Sequence, residues 1–303
     1  MSKEIPKFPK FRPISIGDAP FFYELFHNYP PLISEYTFTN LFTWTHEYDF
    51  QVCKYNGTVL ILTKACGLGG LYPPVGKWNH QDIFNILKES KQAKVADHFH
   101  CADEKMIDKI TKHSKDLEID QERDHFDYVY TRDDLVNLAG RRFHNKKNLL
   151  NQFEKKYDAY FEPLTTENVA EALKFEHDWC LSRECEKNPT LSKETCSIYQ
   201  MLTHFEVLKL TGAVVRYKGK IIGLTMGEPL NKNTFTIHVE KGNYHYRGIY
   251  QFINQRFAQT IDPKYTWINR EQDLGIPGLR KAKESYNPIR MEKKYTIRFR
   301  GTK

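Results

Sequence analysis

The same order of predicted elements occurs twice along this chain, and that repetition limits the fold more than any single motif does. In the C-terminal half, apolar residues at helical spacing predict helices over 168–181 and 192–210. Short β-rich runs follow at 213–217, 221–227 and 234–239. Lys218-Gly219-Lys220 and Asn231-Lys232-Asn233 separate them, which is the turn chemistry of an antiparallel meander. After Gly248 the period returns to that of a helix, with Ile249, Phe252, Ile253, Phe257 and Ile261 on one face. This helix stops near Asp262-Pro263, because proline lacks the N–H that would continue the ladder. A strand over 265–269, a helix over 277–286 and a strictly alternating run over 289–299 close the series.

The N-terminal half reads in the same sense. Helices are expected at 19–28 and 35–44, strands at 50–55 and 59–63, and an extended piece at 71–75. A helix at 81–90, a strand at 94–97, a helix at 103–113 and strands at 117–120 and 127–130 follow. Helices, a three-strand meander, then helix, strand, helix, strand resembles the GNAT acyltransferase fold. The expected class is therefore α/β (α+β), two tandem GNAT-like domains, each a mixed central sheet flanked by helices. The expected domains are 1–132, a basic helical connector at 133–158, and 159–303 carrying the site.

A length of 303 residues accommodates two such cores. No run approaches the roughly 20 apolar residues that span a bilayer, and the segment from Met1 to Phe8 has no signal-peptide core. A cytoplasmic chain without a membrane span is expected. A net charge of +7 and a pI near 8.9 favour polyanionic partners. Cys53, Cys66, Cys101, Cys180, Cys185 and Cys196 show no disulfide-scaffold spacing and read as reduced thiols.

Several chemistries are set aside. The glycine-rich turn at 67–77 has Leu71 and Trp78 where a P-loop needs Gly and Ser or Thr. Cys180 and Cys185, with His177 and Cys196, fit no zinc pattern, so no metal is expected. There is no Gly-x-Ser-x-Gly elbow for covalent catalysis. Two segments remain. In the first, Arg247 and Gly248 open a helix whose N-terminal N–H groups and dipole suit a donor phosphate. GNAT enzymes dock the coenzyme A pyrophosphate on a Gln/Arg-x-x-Gly-x-Gly/Ala loop at this place. Here the run is His245-Tyr246-Arg247-Gly248-Ile249-Tyr250, which sets a bulky ring where coenzyme A lies on the backbone. In the second, Arg270, Glu271 and Asp273 leave a strand end in a loop containing Gly275 and Gly278, where open α/β sheets bind ligands. Arg280 and Lys283, three apart, share a helix face beyond it.

This second segment resembles the C-terminal catalytic domain of the phosphatidylglycerol lysyltransferases. Asp273, Gly275, Gly278, Leu279, Arg280, Lys283, Tyr286 and Pro288 match its Asp-x-Gly-x-x-Gly-Leu-Arg-x-x-Lys run and the aromatic residue and proline that follow. The resemblance implies tandem GNAT-like domains and transfer of an aminoacyl group from aminoacyl-tRNA to a lipid headgroup. The related Fem-type ligases carry out such transfers to peptidoglycan precursors. Lipid-modifying members also carry a multi-span membrane domain, which this sequence lacks, so a small-molecule or peptide acceptor is expected alongside a lipid headgroup.

The expected reaction moves an aminoacyl or acyl group from aminoacyl-tRNA or an acyl-CoA-like donor, with no tightly bound cofactor, to an amine or hydroxyl. Asp273 or Glu240 would be the base, with His238 a further candidate, and Tyr286 would protonate the leaving group. Arg247, Gly248, Arg270, Arg280 and Lys283 would bind the donor. Arg141, Arg142, Lys146 and Lys147 would contact tRNA phosphates. A non-catalytic GNAT-fold binding protein and a conventional CoA-dependent N-acetyltransferase are the alternatives.

Overall fold

The computed structural model describes residues 4–64, 69–111 and 115–300, so Cys66 and the start of the glycine-rich turn lie outside it. The first half runs β1 (Arg12–Pro13), α1 (Ala19–Asn28), α2 (Phe38–Thr43), α3 (Thr45–Tyr48), β2 (Gln51–Tyr55), β3 (Thr58–Thr63) and β4 (Gly70–Leu71). It continues through α4 (His80–Gln92), β5 (His98–Ala102), α5 (Glu104–Thr111) and β6 (Leu117–Gln121). Asn56 and Gly57, at φ 43° and 83°, make the tight hairpin between β2 and β3. Every residue of β3 is buried, as its Thr-Val-Leu-Ile-Leu-Thr composition requires of an inner strand.

Next come β7 (Asp127–Thr131), α6 (Arg132–Asn137), α7 (His144–Lys156), β8 (Tyr160–Pro163), α8 (Val169–Ser182), α9 (Pro189–Thr203), β9 (Thr211–Tyr217) and β10 (Lys220–Pro229). The chain ends with β11 (Thr234–Gly242), α10 (Ile249–Thr260), β12 (Trp267–Asn269), α11 (Pro277–Glu284), β13 (Arg290–Glu292) and β14 (Tyr295–Phe299). Among the described residues no helix is long and apolar enough to cross a membrane.

Two seven-stranded sheets result, ordered β1-β2-β3-β4-β5-β14-β6 and β8-β9-β10-β11-β12-β7-β13. The orders correspond place by place, and in each the fourth and fifth strands run parallel. The sixth strand of each sheet comes from the other half of the chain. β7 follows the elements of the first sheet but pairs with β12, while β14 follows those of the second but inserts between β5 and β6.

This exchange corrects the contiguous domains read from the sequence. One compact unit contains the described residues up to Asp127, Gln272–Gly275 and those from Glu292; the other contains Tyr128–Glu271 and Ile276–Met291. The alternating run expected over 289–299 is two strands in two sheets, divided at Lys293 and Lys294. Lys294 is fully buried in the first unit and binds Glu35 at 2.5 Å and Asp127 at 2.6 Å. Asp127 also accepts from the backbone and hydroxyl of Ser34. The segment expected as a connector is a helical layer of the second unit: Leu135, Phe143, Leu150 and Phe153 are buried in its core with Phe252, Ile253 and Phe257.

Candidate functional site

A β-bulge creates the site. Met226 pairs with Val239 and Gly227 with Ile237, leaving His238 as the extra residue of β11. One extra residue reverses the alternation of side chains along a strand. Before the bulge, Phe235 and Ile237 pack into the core beside α10, with the Phe235 and Phe257 rings 6.0 Å apart. Beyond it Glu240 faces the same helix and accepts from Asn254 Nδ2 at 2.9 Å. Gly227 is required opposite the bulge, since a Cβ there would stand 2.2 Å from the Thr236 carbonyl oxygen.

The neighbouring strand ends early. β12 pairs with β11 only from Trp267 to Asn269. Arg270 then donates its N–H to the Tyr128 carbonyl at 2.9 Å, and Glu271 takes a left-handed conformation at φ 55° with its N–H on Asn269 Oδ1 at 2.7 Å. A non-glycine residue in that region is the kind of local strain found at functional positions. Strands β11 and β12 therefore separate, and polar side chains occupy the opening.

Arg270 is central to it. Its Nη2 donates to Glu240 Oε1 at 2.8 Å, and its guanidinium lies 4.8 Å from the Tyr286 ring and 5.4 Å from the Tyr130 ring. Burial opposes its charge, but Glu240 and the two tyrosines more than offset this and raise its pKa. Arg270 Nη1 is buried without a hydrogen-bond partner. Tyr286 Oη is buried as well and meets the Gln251 side chain. Burial holds the Tyr286 hydroxyl above the usual phenol range, so it keeps its proton and is a donor. Lys146 Nζ lies 4.2 Å above the Tyr286 ring, its pKa lowered by burial and by Arg270. An unpaired buried donor is costly, and Arg270 Nη1 is one, on the side chain that lies against the Tyr286 ring.

His238, with a side chain 1% exposed, bridges two carboxylates through Nδ1 to Glu271 at 2.8 Å and Nε2 to Glu228 at 3.0 Å. Burial alone would lower its pKa, but Glu228 and Glu271 outweigh that and push it up to about 9. With both nitrogens occupied and the ring charged, His238 is a clamp on the bulge and has no lone pair with which to act as a base.

The other residues expected from the sequence divide clearly. Lys283 donates to the carbonyls of Arg270 and Glu271, fixing the strand end. Asp273, fully buried, belongs to the first unit, where it binds Arg123 at 3.0 Å and caps the Gly275 N–H at 2.8 Å. Arg280 lies on α11, which has no fully buried residue. Arg247 is exposed. Gly248, at φ 96°, has a packing reason: a Cβ would meet the Leu149 carbonyl oxygen at 2.4 Å. The close approach expected of a ligand is made by α7. Arg141, Arg142 and Lys147 are exposed, Arg142 bound to Asp134 at 2.5 Å, and Lys146 alone of the four turns into the cluster. Sequence reasoning missed Tyr130, Asn254 and Glu228. Asn254 had left a trace, a polar residue in helical register with Tyr250, Phe257 and Ile261.

Two mixed sheets of matching order, each with parallel fourth and fifth strands, define a tandem GNAT-like fold. The chain belongs to the family described as phosphatidylglycerol lysyltransferase, C-terminal, which matches residues 26–298. It is similar to a conserved protein of unknown function from Bacteroides thetaiotaomicron, with 30% identity, a TM-score of 0.89, and 96% of this chain and 99% of that one covered. L-PGS from Bacillus licheniformis shares the fold at 14% identity and a TM-score of 0.65, covering 99% of this chain and 95% of its own. An uncharacterized protein of Mycoplasmoides gallisepticum is 26% identical over 240 residues, 75% of this chain and 74% of the other.

Proposed function

We propose that the protein transfers an aminoacyl group from the 3′ end of an aminoacyl-tRNA to an amine or hydroxyl acceptor. The observation that carries this reading is the Arg270 guanidinium, bound to Glu240 on one side, with its buried Nη1 left over and its plane 4.8 Å from the centre of the Tyr286 ring. Attack on an ester places negative charge on the carbonyl oxygen, and a fixed donor of low mobility is suited to receive it. Glu240 accepts the proton that the acceptor nitrogen or oxygen loses as its bond to the carbonyl carbon forms. When the carbon–oxygen bond to the ribose breaks, the same proton passes to the departing 3′ oxygen. Lys146 adds positive charge beside the donors. No covalent enzyme intermediate is needed.

Tyr250 favours this donor over coenzyme A. Its hydroxyl binds the Gly242 carbonyl at 3.1 Å and occupies a backbone acceptor at the end of β11.

The test is thermal stabilisation by a non-hydrolysable 3′-aminoacyl-adenosine analogue, compared with coenzyme A and acetyl-CoA. Stabilisation by the analogue alone, lost in Arg270→Lys and Glu240→Gln, is the expected result. Stabilisation by coenzyme A alone would return the protein to ordinary acyltransferases, and no response to either would leave a GNAT-fold binding protein.

A further inference from the structure

Lys241 follows Glu240 in β11 but faces α8, as strand alternation requires. Its ammonium is held by Glu176 at 3.0 Å and Glu194 at 3.1 Å and lies 3.8 Å from the centre of the Trp179 ring. The Arg183 guanidinium is 5.5 Å from that same ring and 4.1 Å from the ring of Tyr244. The Tyr244 and His245 rings are in tilted contact, with centroids 4.1 Å apart at 34°. A ladder of alternating cations and rings thus runs from a buried lysine to the surface, all within the second unit. Its inner end is anchored by Glu176 and Glu194, while Arg183 and His245 are exposed and Tyr244 is 46% exposed.

We infer that the exposed end of this ladder stacks the bases of a single-stranded RNA. Every base has a π face, so aromatic and guanidinium planes bind single strands with little regard to sequence. The charge is complementary: Arg183 lies on the Tyr244 ring, exposed Arg247 follows His245 two residues on in the chain, and Glu184, next to Arg183, is engaged by Lys187 at 2.9 Å. Tyr244 and His245 lie open on a surface loop, which suits a base whose strand is also held through its phosphates. The identity of the strand as the 3′ end of a transfer donor rests on the reading above.

The experiment is fluorescence anisotropy of the full chain with a 5′-labelled single-stranded RNA dodecamer, repeated with the duplex form and with adenosine monophosphate and coenzyme A as competitors. Tyr244→Ala and Arg183→Ala should each weaken single-strand binding between about 5- and 100-fold, the range expected for one lost stacking partner. Tyr244→Phe should bind as the parent does. So should Tyr199→Ala, which removes a still more exposed tyrosine outside the ladder. An unchanged Kd in Tyr244→Ala with intact thermal unfolding, equal affinity for duplex, displacement by coenzyme A at lower concentration than by unlabelled RNA, or no RNA binding by the parent would each overturn the inference. The transfer reading is judged separately: the adenosine analogue acts through Arg270, so its effect survives loss of the ladder, and ladder-dependent RNA binding survives loss of Arg270.

Discussion

Arg270 meets Glu240 at 2.8 Å one residue beyond the last pair that β12 shares with β11, so an ion pair spans the place where two strands part. Each side chain is 12% exposed, and a charge-assisted hydrogen bond in such surroundings is strong and geometrically selective. The guanidinium has donors to spare, and that surplus is what the chemistry would use.

Replacing Arg270 by lysine keeps a cation but removes the second donor. Single-turnover transfer should fall by about 10²–10³-fold, as for loss of one oxyanion donor, with urea unfolding near that of the parent. Arg270→Ala should instead cost about 3–5 kcal/mol of stability, because Glu240 is left buried with Asn254 as its remaining partner. Unchanged transfer by a folded Arg270→Lys protein would remove this residue from the chemistry.

The His238 clamp makes a pH-dependent contribution to stability. Its folded pKa of about 9 lies above the ordinary value of 6.5, so the native state binds the proton more tightly. The stabilisation is fully present below about pH 6.5 and is lost as pH rises through about 9. Thermal unfolding measured from pH 6 to pH 10 should show this loss, and His238→Gln should flatten it. Imidazole proton shifts give the midpoint directly.

Two glycines separate packing from ligand approach. Gly248→Ala meets both a left-handed φ and the Leu149 carbonyl, and should cost more than about 1 kcal/mol. Gly278, on α11 with no atom within 4 Å of a built Cβ, should tolerate alanine with a gain of up to about 1 kcal/mol. Denaturant midpoints check both.

In the first unit, Lys294→Met deprives Glu35 and Asp127 of a shared cation and should cost about 3–5 kcal/mol. Burial pushes the Glu35 carboxyl up to about 7, with Lys294 opposing the shift. The native state therefore holds a proton that the unfolded chain releases between its ordinary 4.5 and 7, and stability falls as pH rises through that window. Glu35→Gln should remove this slope in an unfolding series from pH 4 to pH 8.

The order of elements was legible because helical and strand periods are local. Ile249, Phe252, Ile253 and Phe257 announce α10 without reference to anything distant. Partner choice is not local. An alternating run reports that one face is buried but not in which sheet, so 289–299 read as one strand although Lys294 lies in its middle, fully buried. Arg270, Glu240, Tyr286 and Lys146 were all singled out by type and neighbourhood, yet nothing in the sequence pairs residues 270 and 240. Asp273 shows the same limit. A carboxylate in a glycine-containing loop suggests a base, and its ion pair with Arg123, distant in sequence, emerges only in three dimensions.

The placement of β14 between β5 and β6 has a consequence for biosynthesis. Residues 4–121 leave the ribosome well before Tyr295–Phe299 exist, so the nascent first sheet has a vacant place at which β5 and β6 find no partner. Its closure waits for nearly the whole chain, which makes this a high-contact-order, slow step. A fragment stopped at residue 132 would expose two unpaired strand edges and aggregate, however complete its helices looked.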